Sequence, residues 1–272
     1  MTRWLLIWCA TCWSAWAMAE QVVTLSPRPD ISLRYLLVTP DKPPLASLVL
    51  FAGGDGVLRL SENGALGVGG NFLVRTRAQW AAQGFQVAVV DAPSDRQSLG
   101  LNKGEFRQSE THAGDIAAVI ADLRRRATVP VWLVGTSRGT TSAASIAILR
   151  HELVAGVVLT STIDHGRGNV ADLPLARITQ PALLIQHRQD ACSESLLANL
   201  QPVVDGLSQS SARELLVMEG GQDRGDPCQP WAWHGYNGIE ERVVTQAAEW
   251  IRRHVSSAGG NPDAASQPSP AQ

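Results

Sequence analysis

Apolar and polar positions along the 272-residue chain fall into two alternating patterns. Short continuous apolar runs that end at Gly, Asp, Ser or Thr predict strands covered on both faces. They are "LASLVLFAGG", "FQVAVVDAPSD", "VPVWLVG", "LVAGVVLTST" and "QPALLIQH", with "ARELLVMEG" as a further strand. Between them, apolar residues recur at helical spacing in "NFLVRTRAQWAAQGF", where Gly84 is the stop signal, and in "ETHAGDIAAVIADLRRR", "GTTSAASIAILRH" and "SESLLANLQPVVDGL". "GIEERVVTQAAEWIRRH" reads as a closing amphipathic helix. Ahead of all these, "QVVTLS" and "ISLRYLLVTP", broken by "PRPD", read as a strand pair. Strands alternating with helices predict an α/β fold, a mostly parallel sheet flanked by helices, and the length suits one domain.

The two ends follow neither pattern. "MTRWLLIWCATCWSAWAMAEQ" offers one Arg, an uncharged apolar run and Ala17-Met18-Ala19 ahead of Glu20, so residues 1–19 read as a signal peptide. A membrane anchor is the other reading, but the run from Trp4 to Met18 falls short of the roughly 20 apolar residues of a spanning helix. Residues 256–272, rich in Ser, Pro, Ala and Gln without periodicity, read as a disordered tail. The folded domain is thus expected over 20–255, in a periplasmic or secreted protein without a stable membrane span.

Export changes the meaning of the cysteines. Cys9 and Cys12 leave with the leader, and Cys192 and Cys228, alone in an oxidising compartment, read as one disulfide, with two buried free thiols as the other reading. Closing that loop would stabilise the fold by roughly 3–4 kcal/mol in the chain-entropy picture. The formal net charge of −2, with no Lys/Arg stripe, argues against a nucleic-acid partner. "AGGDGVLRLSENGALGVGGN" is glycine-rich but matches neither the dinucleotide fingerprint nor a P-loop, so no cofactor is expected. Nor does any Cys/His spacing suggest a metal.

"GTSRG" is the motif with chemical content. It matches G-x-S-x-G, between an apolar strand and a helix-forming segment, which is the setting a nucleophile elbow requires. A tight strand-to-helix turn needs small residues two before and two after the serine, and Gly135 and Gly139 meet that need around Ser137. The alternative is a serine that only sits in a turn. A nucleophilic serine needs a base, itself oriented by an acid. His112, His151 and His254 fall in or at the ends of helices, whereas His165 and His187 lie at strand ends. His234, in the loop "WAWHGYNG" between the last strand and the closing helix, is the favoured base. For the acid, Asp190 in "HRQDAC" and Asp164 in "STIDHG" both follow strands. Asp190 is preferred because a Cys192–Cys228 disulfide would tie its loop to that of His234. Asp223 and Asp226 read as solvated turn residues.

With these residues in the order Ser137, Asp190, His234, the chain resembles an α/β-hydrolase over essentially all of 20–255. The resemblance implies an oxyanion hole built from the N–H of Arg138 and a second N–H in "LFAGGDG", where Gly54 is the expected donor and Asp55 lies close behind. It also implies two-step acyl transfer on a small-molecule ester. "STIDHGRGNVADLPLARITQ" is too short for a multi-helix lid, so no large cap domain is expected, and the glycine-rich loop and Trp231 and Trp233 are candidate covers. A peptidase or thioesterase would use the same triad. A hydrolase-like protein that binds without turnover is the reading from another class.

Overall fold

The computed structural model describes residues 19–258. The expected signal peptide, Ala19 excepted, and the tail from 259 onward lie outside these residues. Eight strands form one sheet: β1 (Ala19–Arg28), β2 (Ile31–Thr39), β3 (Ala46–Phe51), β4 (Phe85–Val90), β5 (Val131–Thr136), β6 (Gly156–Thr160), β7 (Ala182–His187) and β8 (Arg213–Met218). Their spatial order is β1-β2-β4-β3-β5-β6-β7-β8. The pairings β1–β2 and β2–β4 are antiparallel, and the other pairings are parallel. The helices are α1 (Phe72–Arg75), α2 (Arg77–Ala82), α3 (Glu110–Arg126), α4 (Gly139–Leu149), α5 (Gln201–Gly206) and α6 (Glu240–Ala258).

The uninterrupted apolar runs are strands covered on both faces, as their sequence requires: every residue of β3, β4, β5, β6 and β7 is buried. Alternate side chains feed two cores. Val131 and Leu133 of β5 join Ile116, Val119 and Ile120 of α3 and Ala143 and Ile146 of α4 on one face. Trp132 and Val134 join Phe72, Trp80, Val244 and Trp250 of α1, α2 and α6 on the other. No large cap is inserted between β6 and β7, where a single 3-10 turn, Leu175–Arg177, interrupts the loop. None of the described helices is long and apolar enough to cross a membrane.

Two elements depart from the periodicity. The helix expected over "NFLVRTRAQWAAQGF" breaks at Thr76, whose Oγ1 donates to the Phe72 carbonyl at 2.7 Å and whose φ/ψ of −95°/3° separates α1 from α2. "SESLLANLQPVVDGL" yields only α5 after a 3-10 turn, because Pro202 has no N–H to donate and is tolerated only in a first turn. At the C-terminus, α6 extends to Ala258, into the stretch read as tail.

Connections leave β3 toward β4 on one side and β5 toward β6 on the other. The sheet therefore reverses its winding between β3 and β5, and a crevice opens there at the carboxyl ends of the strands.

Candidate active site

Strand register builds the crevice. Phe51 at the end of β3 pairs with Gly135 of β5, so Ala52–Gly54 emerges beside Thr136 and Ser137. Ser137 holds the left-handed conformation at φ +53°, a strained setting for a residue with a Cβ. Its N–H donates to Thr160 O at 2.9 Å, which ties the turn to β6. Both flanking glycines are sterically obligatory. A methyl group on Gly135 would lie 2.4 Å from Gly139 O, and one on Gly139 would lie 2.0 Å from Phe51 O. The 11-residue α4 begins at Gly139, with its positive end at this turn.

Across the cleft, His234 Nδ1 lies 2.9 Å from Asp190 Oδ2, with both side chains almost fully buried. The same oxygen accepts from Gln186 Nε2 and Ser195 Oγ, each at 2.9 Å, and Oδ1 accepts from the Cys192 N–H at 3.0 Å. His234 is fixed from behind as well: Ser161 Oγ donates to the His234 carbonyl at 2.7 Å. The Tyr236 hydroxyl donates to Ile185 O and accepts from the Ser161 N–H, and its burial pushes its pKa up. The other ring nitrogen, His234 Nε2, is buried with no hydrogen-bond partner among the described residues. Ser137 and His234 line one cleft of about 180 Å³ with Gly53, Gly54, Val57 and Phe72.

Asp164 is placed elsewhere: its carboxylate takes His165 Nδ1 and the Leu196 N–H. His187 Nε2–H donates to Gly220 O at 2.8 Å, and the ring stacks on Trp233 at 5.7 Å. Trp233 thus packs beneath the loop, while Trp231 is half exposed over Arg75. Cys192 and Cys228 form a disulfide, and Cys228 lines the cleft. Arg138 is held by Glu194 through both carboxylate oxygens, at 2.6 and 2.7 Å.

The loop after β3 rests on a group that the sequence pattern did not single out. Arg107, buried and without a carboxylate at ion-pair distance among the described residues, donates to Ala52 O and Gly54 O at 3.3 Å and to Ser142 Oγ at 2.8 Å. Desolvation lowers its pKa to about 9, and Arg138 adds to the effect. His112 Nε2 contacts the same Ser142 hydroxyl, and burial together with Arg107 drives its pKa down to about 3. Gly54, at φ +61°, lines the cleft, and neither its N–H nor that of Arg138 has an acceptor among the described residues.

No protein-family model matches the chain, and no curated protein matches it in sequence. Solved structures do match in shape. Dienelactone hydrolase from Anabaena variabilis superposes with a TM-score of 0.63 at 20% identity, covering 87% of this chain and 98% of that one. A cold-adapted esterase from an Arctic intertidal metagenomic library gives 0.61 at 13%, covering 86% and 93%. XC6422 from Xanthomonas campestris, described as an α/β serine hydrolase without lid, gives 0.56 at 17%, covering 89% and 97%. The chain has the α/β-hydrolase fold.

Proposed function

We propose that the protein is a serine hydrolase that cleaves carboxylic esters, with Ser137 as nucleophile, His234 as general base and acid, and Asp190 orienting the imidazole. One observation carries this reading. His234 is anchored through Nδ1 to Asp190 while Nε2 is left buried and unpartnered in the cleft that Ser137 shares. An unsatisfied buried polar atom costs on the order of 1–3 kcal/mol; His112 Nδ1 is also unpartnered among the described residues, but of the two histidines His234 is the one that shares a cleft with Ser137.

With Nδ1 donating to Asp190, Nε2 is the acceptor nitrogen. It takes the Ser137 proton as Oγ attacks the ester carbonyl, and the carbonyl π pair moves onto oxygen. The resulting oxyanion faces the Gly54 and Arg138 N–H groups and the positive end of α4. Collapse expels the alkoxide, which takes the proton from Nε2, and water repeats the sequence on the acyl-enzyme. A cleft of about 180 Å³ is small beside the roughly 300–1,000 Å³ of drug-sized pockets, which favours short acyl groups. The Cys192–Cys228 disulfide supports export to the periplasm or beyond.

The test is fluorophosphonate labelling of the purified protein with peptide mapping, followed by rates on p-nitrophenyl esters of increasing acyl length. Adduct on Ser137, its loss in folded Ser137→Ala, and rates that fall beyond short acyl chains are expected. No adduct on a folded parent removes the triad, and adduct with amide or thioester turnover alone moves the substrate class.

A further inference from the structure

Asn71 caps α1 and lines the cleft. Its Oδ1 accepts the Leu73 N–H at 3.1 Å, and only an oxygen can do so, which assigns Nδ2 to the other side of the amide. Nδ2 has no acceptor among the described residues. Its location follows from Gly53. A methyl group built there would lie 2.9 Å from Ser137 Cβ and 3.4 Å from Asn71 Nδ2, so the nucleophile and the free amide flank the same face of that glycine. A side chain at position 53 would press on Ser137 Cβ, Thr136 O and Asn71 Nδ2 together, so all three lie within a few ångströms of one point at the cleft.

We propose that the Asn71 side-chain amide is a third donor of the oxyanion hole, supplementing the N–H groups of Gly54 and Arg138. The inference rests on the ester-hydrolase reading of the site. Nδ2–H donates to the carbonyl oxygen as its negative charge develops and gives up no proton. The cap bond from Leu73 holds the amide in that orientation before substrate arrives, so little reorganisation is needed when charge appears. The Arg75 N–H donates to Asn71 O at 2.9 Å, which secures the backbone that carries the amide.

A cap alone and an oxyanion donor predict opposite results for two variants. Asn71→Asp and Asn71→Ser both keep a side-chain oxygen for the Leu73 N–H, and both residue types are good N-caps. Neither presents a donor where Nδ2 stands. Steady-state kinetics on p-nitrophenyl acetate, with thermal melts of each protein, are therefore the experiment. The expected result is a kcat lowered about 10²–10³-fold in both variants, the range for losing one oxyanion donor, with KM within a few-fold and unchanged melting. Slower fluorophosphonate labelling of Ser137 in both variants is expected too, since that adduct forms through the same charged oxygen. An active parent with either variant within a few-fold in kcat overturns the role of Asn71 and leaves the triad intact. A folded parent inert to ester and probe alike overturns the ester-hydrolase reading and this inference with it.

Discussion

Asp190 Oδ2 stands 2.9 Å from His234 Nδ1, and the same oxygen carries the Gln186 amide and the Ser195 hydroxyl. Asp164, one strand earlier, serves His165 and a backbone N–H instead. Asp190→Asn should lower kcat by about 10³–10⁴-fold, because an amide there no longer enforces the working tautomer of His234. Asp164→Asn should cost less than about tenfold in the same ester assay, by this geometric argument. The opposite ranking moves the acid to the loop after β6.

Tyr236 joins the His234 loop to the sheet through one hydroxyl that touches both Ile185 O and the Ser161 N–H. Tyr236→Phe keeps the ring against Phe72, where the centroids are 4.9 Å apart, and removes only that bridge. A loss of about 1–2 kcal/mol in urea unfolding is expected, together with reduced kcat as His234 loses support. Unaltered stability and turnover would show that the bridge does not position the base.

Cys192 sits two residues past Asp190, and its partner Cys228 lines the cleft. Reduction should therefore lower the melting temperature and the ester rate together. The stability loss should be roughly 3–4 kcal/mol if unfolded-chain entropy governs it. Mass spectrometry of alkylated protein, with and without reductant, checks the bond, and melting that ignores reductant would sink the prediction.

His112 ties stability to pH. Its folded pKa, near 3, lies below the usual unfolded value of about 6.5, so between these values the unfolded chain binds a proton that the folded chain refuses. Stability from this group is present at neutral pH and is lost as pH falls through that window, on the order of 3 kcal/mol by pH 4. Melting curves from pH 7 to pH 4 should fall more gently for His112→Leu than for the parent. Parallel curves would assign the acid limb to other groups.

Part of the fold and of the candidate site was legible in the chain because each obeys a local rule. The Gly135–Gly139 elbow is dictated by close backbone approach, and α3, Glu110–Arg126, coincides with its apolar periodicity. The choice of Asp190 over Asp164 drew on a cysteine pair, which is a long-range signal written in residue type. Gln186, Ser195 and Tyr236 carry no such mark, since their roles come from which strand ends the sheet order brings together. Arg107 was harder to see. It lies in "NKGEFRQSE", a polar loop by composition, yet the side chain turns inward beneath Ala52 and Gly54. Asn71 drew no reading from the sequence: its cap on α1 and the place of its amide near Ser137 emerge only from the fold.

The sheet order β1-β2-β4-β3-β5-β6-β7-β8 has a kinetic corollary. The cleft draws on residues from Ala52 to Gly235, gathered from the ends of β3 and β5 and the loop past β8. No contiguous fragment holds all of it, and parallel neighbours pair only after long excursions of chain, which makes such sheets slow to close. During refolding, helical signal and apolar burial should therefore return before catalysis. Turnover of the proposed ester substrate would then be the stricter report of a finished fold.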